Sequence, residues 1–204
     1  MSWLGARVYD LVMRAPERRH IAAWRGDALQ QVDGEVLEIG AGTGANVPYY
    51  ARNLQRLVLL EPDPHMRAKL QARLKGSDLK ADVGDANAEN LPFADESFDW
   101  VVSTLVLCSV RDPERALGEI RRVLRPGGSL AFIEHVLDPE DASNRRRQKR
   151  YQPLWGLVAS NCQVTRDTRA TIAASGFEFA NIESGRMTMG PRIVRPMIWG
   201  EARR

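Results

Sequence analysis

A short apolar strand that runs directly into alternating glycines restricts the fold of this chain more than any other feature. Residues 36–47 read Val-Leu-Glu-Ile-Gly-Ala-Gly-Thr-Gly-Ala-Asn-Val. Glycine adopts positive φ at little steric cost and lets backbone N–H groups approach a ligand closely. The sequence therefore predicts a tight turn that opens a helix at the ligand-binding edge of a sheet.

Gly40, Gly42 and Gly44 do not by themselves identify the ligand. Their spacing also fits the dinucleotide pattern if Ala45 takes its last place, and a purely structural turn is the simplest alternative. Glu38 decides the prediction, because a carboxylate at the edge of the turn repels a pyrophosphate and suits a cationic or amine-bearing ligand. S-adenosylmethionine (SAM), with its sulfonium and amino groups, fits best.

Short apolar strands alternate with helical stretches beyond this turn, which indicates βαβ units and a parallel sheet. We predict strands at Val36–Ile39, Leu57–Leu60, Leu79–Val83, Trp100–Thr104 and Leu130–Glu134, and helices at Val47–Asn53, Pro64–Lys75 and Pro113–Leu124. The last third of the chain does not continue this alternation of strands and helices. There we predict helices at 145–160 and Thr165–Ser175, the latter capped by Thr165 and stopped by Gly176, then a hairpin of Phe177–Glu183 and Arg192–Trp199.

The predicted fold class is α/β. It has a Rossmann-like, doubly wound sheet of seven strands, mostly parallel with an antiparallel C-terminal hairpin, and helices on both faces. Residues 1–204 are expected to form one domain, with an N-terminal helical cap at 1–33, a cofactor-binding core at 34–136 and substrate-side elements at 137–204.

Composition limits the function classes. A net charge of +3 is too small to indicate nucleic-acid binding. Cys108 and Cys162 form no CxxC motif and are interpreted as packing residues, although Cys108 follows the fourth strand closely enough to line the site. The three histidines lack metal-ligand spacing, so no metal is expected. Without an apolar run of about 20 residues, a cytoplasmic location is the expectation, and no obligate protein partner is evident.

Four residues at strand ends complete the predicted cofactor site. Glu61 ends the second strand, 17 residues after Gly44, where a carboxylate can accept both ribose hydroxyls. Asp85 and the N–H of Ala86 follow the third strand and suit the adenine amine and a ring nitrogen, and Thr104 ends the fourth strand. The alternatives are a solvated acid for Glu61 and a turn cap for Asp85.

His135 ends the fifth strand and is the candidate catalytic base. Methyl transfer from SAM is an in-line displacement in which the protein aligns the reactants, and a base helps only where the nucleophile loses a proton. A purely structural histidine is the alternative.

A basic run precedes an apolar helical stretch. Arg145–Arg150 carries five basic residues in six positions. One interpretation is a solvated helix face whose apolar continuation packs on the sheet, and the other is a cap that touches anionic lipid or an acidic substrate. Peripheral membrane contact through this run is the second option for location.

Taken together, residues 34–136 resemble class I SAM-dependent methyltransferases of the methyltransferase type 11, quinone-biosynthesis-like branch. Several segments are still more similar to the methyltransferase-like thiol S-methyltransferases: residues 37–40, 104–110, 123–128, 134–136, 162–166 and 194–200. The resemblance implies that Glu38 interacts with the methionine amino end, directly or through water, that Glu61 holds ribose, and that Thr104 lies near the methionine or the transferring methyl. Animal members carry a hydrophobic N-terminal anchor, which the short amphipathic start of this chain does not match.

The sequence thus predicts a methyltransferase that converts SAM to S-adenosylhomocysteine and methylates a small lipophilic acceptor. A thiol, a quinol or phenol, and a lipid-like metabolite are all compatible. The alternatives are an NAD-dependent oxidoreductase, which shares the glycine turn but does not need Glu38 or the turn at Gly84–Ala86, and a non-catalytic SAM-binding module.

Overall fold

A computed structural model describes residues 10, 11 and 13–204 and places seven strands of this part of the chain in one sheet. They are β1 (Glu35–Ile39), β2 (Arg56–Leu60), β3 (Asp82–Gly84), β4 (Phe98–Thr104), β5 (Leu124–His135), β6 (Glu178–Arg186) and β7 (Pro196–Arg203). The order across the sheet is β3-β2-β1-β4-β5-β7-β6. Strands β1 to β5 pair in parallel, and β7 is antiparallel to both β5 and β6. The predicted fold class is confirmed.

Helices connect the strands and pack on the sheet. They are α1 (Ala22–Leu29), α2 (Pro64–Lys75), α3 (Pro113–Val123), α4 (Ala142–Val158) and α5 (Thr168–Ala174). A π-helical turn at Glu17–Ile21 leads into α1. Within the predicted N-terminal cap, residues 1–9 and 12 lie outside the described residues.

Two helix starts follow directly from the sequence. The Asp63 carboxylate accepts from the backbone N–H groups of His65 at 2.9 Å and Met66 at 3.0 Å. Asp112 likewise accepts from Arg115 at 3.0 Å. A proline occupies the first helical position after each acid, where its missing N–H costs nothing.

The predicted start of α5 is wrong. Asp167, and not Thr165, caps this helix and accepts from the N–H of Ala170 at 3.0 Å. Thr165 remains in the preceding turn because the Arg166 carbonyl is bound there by the N–H of Leu137 at 2.9 Å. Gly176, with φ of +82°, lies beyond the end of the helix as predicted.

The helix predicted at Val47–Asn53 is also wrong, because only a 3₁₀ turn, Val47–Tyr49, forms there. Tyr50 leaves the turn in an extended conformation, with ψ of 140°. Its phenol is held at the end of β1, and a continued helix would carry the ring away from that position. The third strand likewise begins at Asp82 instead of Leu79.

The central parallel strands are buried on both faces, whereas the edge strand β3 is partly exposed. On one face, side chains of β1 and β2 pack with α3 and α5, through residues such as Leu37, Leu117 and Ile172. On the other face, Val36 and Leu59 pack with α1 and α2. Burial on both sides explains why these strands read as continuous apolar runs.

The apolar continuation of the basic run does not pack on the sheet, contrary to the first interpretation of that segment. Four apolar or aromatic side chains in the second half of α4 are exposed: Tyr151 by 48%, Leu154 by 64%, Leu157 by 83% and Val158 by 70%. Trp155 is the helix residue that turns inward against the apolar cluster around Ile133.

Candidate functional site

Glu38 lies at the carboxyl end of β1 and is almost completely buried. The Tyr50 hydroxyl donates to its Oε2 at 2.7 Å, and Asn46 Nδ2 donates to its Oε1 at 3.0 Å. Burial raises the pKa of Glu38 to about 7, although both hydrogen bonds oppose the shift. Glu38 is therefore a carboxyl group that two hydrogen bonds fix in position and that titrates near neutral pH.

Asn46 links this carboxyl to two other elements. Its Nδ2 also donates to the Thr104 hydroxyl at 3.1 Å, which joins the ends of β1 and β4. Arg25 of α1 donates to Asn46 Oδ1 at 2.5 Å and pairs with Glu17 at 2.7 Å. No sequence signal distinguished Asn46 or Arg25, because the contact of Asn46 with Thr104 and that of Arg25 with Asn46 join positions 58 and 21 residues apart.

The three glycines of the turn differ in the space that a Cβ atom would find at each position. All have positive φ: +56° at Gly40, +60° at Gly42 and +83° at Gly44. A Cβ on Gly40 would lie 2.6 Å from a methyl of Val106, and one on Gly44 would lie 2.8 Å from Leu70. A Cβ on Gly42 would meet only Gly40 O, at 3.9 Å, among the described atoms. The face of Gly42 is therefore open to a ligand.

Glu61 lies beneath this turn at the end of β2. Its carboxylate accepts from the N–H of Gly42 at 2.8 Å and from the N–H of Asp63 at 2.8 Å. Burial raises the pKa of Glu61, and the two backbone hydrogen bonds oppose that effect. The carboxylate thus has a fixed orientation at the position from which ribose hydroxyls would be bound.

Asp85 and Ala86 follow β3 and lie at the same edge of the sheet. The side chain of Asp85 is 79% exposed, and its Oδ2 lies 4.0 Å from an Arg67 nitrogen. Ala86 is partly buried against the core. Because β3, β2, β1 and β4 are neighbours, the residues at their ends form one row along the edge.

The N-terminal segment reaches over the start of this row. The carboxylate of Asp10 accepts from the Thr43 hydroxyl at 2.8 Å and pairs with Lys69 at 2.6 Å. Thr43 belongs to the glycine turn and Lys69 to α2. Asp10 therefore ties the segment before α1 to two elements of the candidate cofactor site.

His135 lies at the end of β5 and is 9% exposed. Burial lowers its pKa to about 4, although a hydrogen bond to the Val194 backbone opposes the shift. The imidazole is therefore neutral near pH 7, and its Nδ1 is a buried nitrogen without a hydrogen-bond partner among the described residues.

The preceding residue, Glu134, has a role that sequence reasoning missed. Its carboxylate is fully buried and accepts from the Ser103 hydroxyl at 2.7 Å. It also accepts from three successive backbone N–H groups, at residues 106, 107 and 108, at 2.9–3.1 Å. An acid in the last positions of an otherwise buried strand was the available signal, because a buried charge needs partners.

These residues fit the SAM that the resemblance implies. The open face of Gly42 leaves room at the turn, and the exposed Asp85 carboxylate offers acceptors for an exocyclic amine. The row carries the carboxyl groups of Glu38, Glu61 and Asp85, which suit the cationic and amine-bearing groups of SAM.

Comparisons with known proteins agree with this chemistry. Residues 37–132 match the family model described as a methyltransferase domain. The chain is 36% identical over 170 residues to the thiol S-methyltransferase TMT1B of Homo sapiens, covering 82% of this chain and 69% of that protein. It is 37% identical over 130 residues to a demethylmenaquinone methyltransferase of Renibacterium salmoninarum, covering 62% of this chain and 53% of the relative.

A solved structure shares the fold. A SAM-dependent methyltransferase of Thermotoga maritima, described as a possible histamine N-methyltransferase, aligns with a TM-score of 0.70. The alignment covers 97% of this chain and 95% of the other at 23% identity. At that identity the likeness shows the architecture alone.

Proposed function

We propose that this chain, which belongs to the class I SAM-dependent methyltransferases, methylates a small lipophilic acceptor, with a thiol as the first candidate. Family membership sets aside both alternatives, the NAD-dependent oxidoreductase and the non-catalytic module. A quinol or phenol and a lipid-like metabolite are the other acceptor classes.

One observation carries this proposal. The alignment with the human thiol S-methyltransferase spans 170 residues, which is longer than the cofactor-binding core at 34–136. The likeness therefore includes part of the chain outside the core, where we place the acceptor contacts. Met197, which pairs with His135 across β5 and β7, belongs to one apolar cluster with Ile133 and Met187, and these apolar neighbours support a lipophilic acceptor.

SAM supplies a methyl group on an activated sulfonium when it is bound. We propose that Glu61 binds the ribose hydroxyls, that Asp85 and the Ala86 N–H bind adenine, and that the turn at Gly40, Gly42 and Gly44 borders the cofactor. Glu38 and Thr104, joined through Asn46, would face the methionine end. This division assigns the cofactor to β1–β4 and leaves the edge beyond β5 for the acceptor.

His135 is proposed as the base that takes a proton from the acceptor. Its neutral state and its unpartnered Nδ1 support this role. Residues 1–33 are proposed as a helical cap, supported by the contacts of Asp10 and Arg25 with the site.

The test is S-adenosylhomocysteine production with three matched acceptors: an alkyl thiol, a quinol and a phospholipid amine. We expect the thiol to give the highest kcat/KM. His135→Gln should lower kcat by tenfold or more, leave the SAM Kd unchanged, and abolish the gain in activity that we expect in wild type as pH rises through about 4. No production above the acceptor-free rate with any acceptor would refute the proposal, and wild-type kcat in the variant would remove His135 from the mechanism.

A second proposal concerns α4, which we infer to be a peripheral docking surface for an anionic membrane. No helix of the described residues is long and apolar enough to cross a membrane. The exposed apolar half of α4 adjoins the exposed basic residues Arg146, Arg147, Lys149 and Arg150. Basic and apolar side chains together suit insertion at an anionic interface.

Vesicle sedimentation tests this surface. We expect binding to vesicles of phosphatidylglycerol and phosphatidylcholine, weaker binding to phosphatidylcholine alone, and loss of binding in the double variant Leu154→Ser/Leu157→Ser. Arg18→Gln/Arg19→Gln, which removes two exposed arginines outside α4, is the matched control and should bind like wild type. Equal binding of all three proteins would contradict the proposal.

A further inference from the structure

The two cysteines of the chain meet in the folded protein. Cys108 follows β4 and Cys162 follows α4, 54 residues later, yet their Sγ atoms are 3.8 Å apart. Both are buried, with 1% of Cys108 and 6% of Cys162 exposed. Neither thiol has a role in the chemistry proposed above.

Hydrogen bonds hold the two backbones together beside this pair. The N–H of Gln163 donates to the Cys108 carbonyl at 2.7 Å, and Asn161 Nδ2 donates to the Ser109 carbonyl at 2.8 Å. The Arg166 guanidinium donates to the Leu107 carbonyl and, at 3.1 Å, to the Val110 carbonyl. A disulfide has an S–S length of about 2.05 Å, so the two sulfur atoms, now 3.8 Å apart, must approach each other further while these hydrogen bonds keep the backbones close.

The two thiols are not equivalent. The residues on either side of Cys162, Asn161 and Gln163, both line two adjoining open cavities of about 350 and 520 Å³. The hydrogen bond with Cys108 lowers the pKa of Cys162, in spite of its burial, whereas the same contact and burial raise the pKa of Cys108. Cys162 is therefore both the more accessible and the more acidic thiol, which are the properties of an attacking thiolate.

We propose that Cys108 and Cys162 are an oxidation site that forms a reversible disulfide with a hydroperoxide as oxidant. The Cys162 thiolate attacks the terminal oxygen of the hydroperoxide. An S–O bond forms as the O–O bond breaks, which gives a sulfenic acid and releases an alkoxide, or hydroxide when the oxidant is hydrogen peroxide. The Cys108 sulfur then attacks the Cys162 sulfur, the S–O bond breaks, and the oxygen leaves as water with the Cys108 proton. Two thiols lose two electrons to one peroxide, and a dithiol reductant reverses the change.

The disulfide would cross-link the loop after β4 to the segment after α4. The Cys108 N–H is bound to Glu134 at 3.0 Å, next to the strand end that carries His135. An effect on acceptor turnover follows from this position and rests on the proposed function. Formation of the disulfide does not depend on that function.

The test uses the reduced full-length protein, treated with hydrogen peroxide and analysed by mass spectrometry after quenching, denaturation and alkylation. We expect wild type to lose about 2 Da and to resist alkylation at both cysteines, and dithiothreitol to restore it. Cys108→Ser should stop at a sulfenic acid on Cys162 that dimedone traps. Cys162→Ser should keep an alkylatable Cys108.

Two outcomes overturn the site: both thiols staying alkylatable in wild type, or each becoming overoxidised without a cross-link. Closing a loop of this length should raise Tm of the oxidised form by roughly 5 °C or more. Turnover of the alkyl thiol should change at least threefold on oxidation while the S-adenosylhomocysteine Kd stays within twofold. A disulfide with unchanged turnover would confirm the oxidation site and refute its connection to the acceptor side, and an inactive protein that still cross-links would refute only the proposed function.

Discussion

Glu38 and His135 are buried groups whose pKa values shift in opposite directions. The pKa of Glu38 rises from 4.5 to about 7, and that of His135 falls from 6.5 to about 4, both through burial. Between pH 4.5 and 7 the folded state keeps a proton on Glu38 that the unfolded state has lost, so the free energy of unfolding falls as pH rises. Between pH 6.5 and 4 the unfolded state binds a proton on His135 and the folded state does not. The free energy of unfolding therefore falls as pH drops through this range.

Glu38→Gln isolates the first effect. Relative to wild type, the free energy of unfolding of the variant should increase by about 3 kcal/mol from pH 4.5 to pH 7.5, because the amide does not titrate. Urea denaturation at both pH values measures the difference. His135→Gln is the control and should show the opposite trend below pH 6.5, whereas a pH-independent difference for Glu38→Gln would contradict the assigned shift.

Gly40 and Gly42 give a matched pair of substitutions. Gly40→Ala should lower the free energy of unfolding by about 2–3 kcal/mol, because positive φ adds to the contact with Val106. Gly42→Ala has the same φ cost of about 1 kcal/mol and no contact, but its methyl enters the open face of the turn. We therefore expect the larger loss of SAM affinity, more than tenfold by calorimetry, in Gly42→Ala. Equal affinities in the two variants would show that Gly42 does not border the cofactor.

The glycines and the acids at the strand ends were predictable, because each follows a recognisable apolar strand. The hydrogen-bond partners were not. Asn46 and Tyr50 donate to Glu38 across a turn, and Arg25 of α1 donates to Asn46. The relative positions of these elements are set by packing, which local spacing does not encode. Glu134 was visible as a residue at a strand end but not as an anchor for the loop after β4.

At the scale of elements, α1 is joined to the sheet by a polar chain as well as by apolar packing. Arg25→Met removes the donor to Asn46 and leaves Glu17 unpaired, at a cost of about 2 kcal/mol. We expect hydrogen exchange to accelerate in α1 while β1 stays protected, and Arg25→Lys to restore part of the protection. Uniform acceleration across the sheet would indicate global destabilisation instead.

Secondary structure was predictable to different degrees for physical reasons. Strands β1 to β4 were located to within three residues at each end, because burial makes the central strands apolar throughout, but β5 begins at Leu124, six residues before the predicted start. The helix expected after the glycine turn was not found, because the tertiary contact of Tyr50 with Glu38 overrides local propensity. The outward apolar half of α4 was missed because helical spacing alone cannot tell which face packs.

At the scale of the molecule, Asp138 joins the end of β5, the start of α4 and strand β6. The two terminal guanidinium nitrogens of Arg186 donate to the Asp138 carboxylate at 2.6 Å, and Asn144 Nδ2 donates to it at 2.9 Å. Burial alone would raise the pKa of Asp138, but these hydrogen bonds hold it well below its usual range. The contribution of Asp138 to stability is therefore present above pH 3.8 and is lost as pH falls further.

Asp138→Asn should lower the free energy of unfolding by about 2 kcal/mol at pH 7, a value that allows for the partly exposed Arg186. The difference should shrink below pH 4, as measured by urea denaturation across that range. Glu140→Gln is the control, since Glu140 is 81% exposed and lies 3.8 Å from Arg186, and it should change stability little. A larger loss in the control than in Asp138→Asn would contradict this account.

Strand β5 pairs in parallel with β4 along one edge and antiparallel with β7 along the other. It is the border between the elements proposed for the cofactor and those proposed for the acceptor. The sequence can therefore diverge on the β7 side of β5, proposed for the acceptor, while the sequence on the β4 side, proposed for the cofactor, is conserved. Exchange of residues 137–204 between relatives, with β5 kept intact, should transfer acceptor preference without loss of SAM binding, so new specificities in this lineage can evolve by replacing one side of a shared strand.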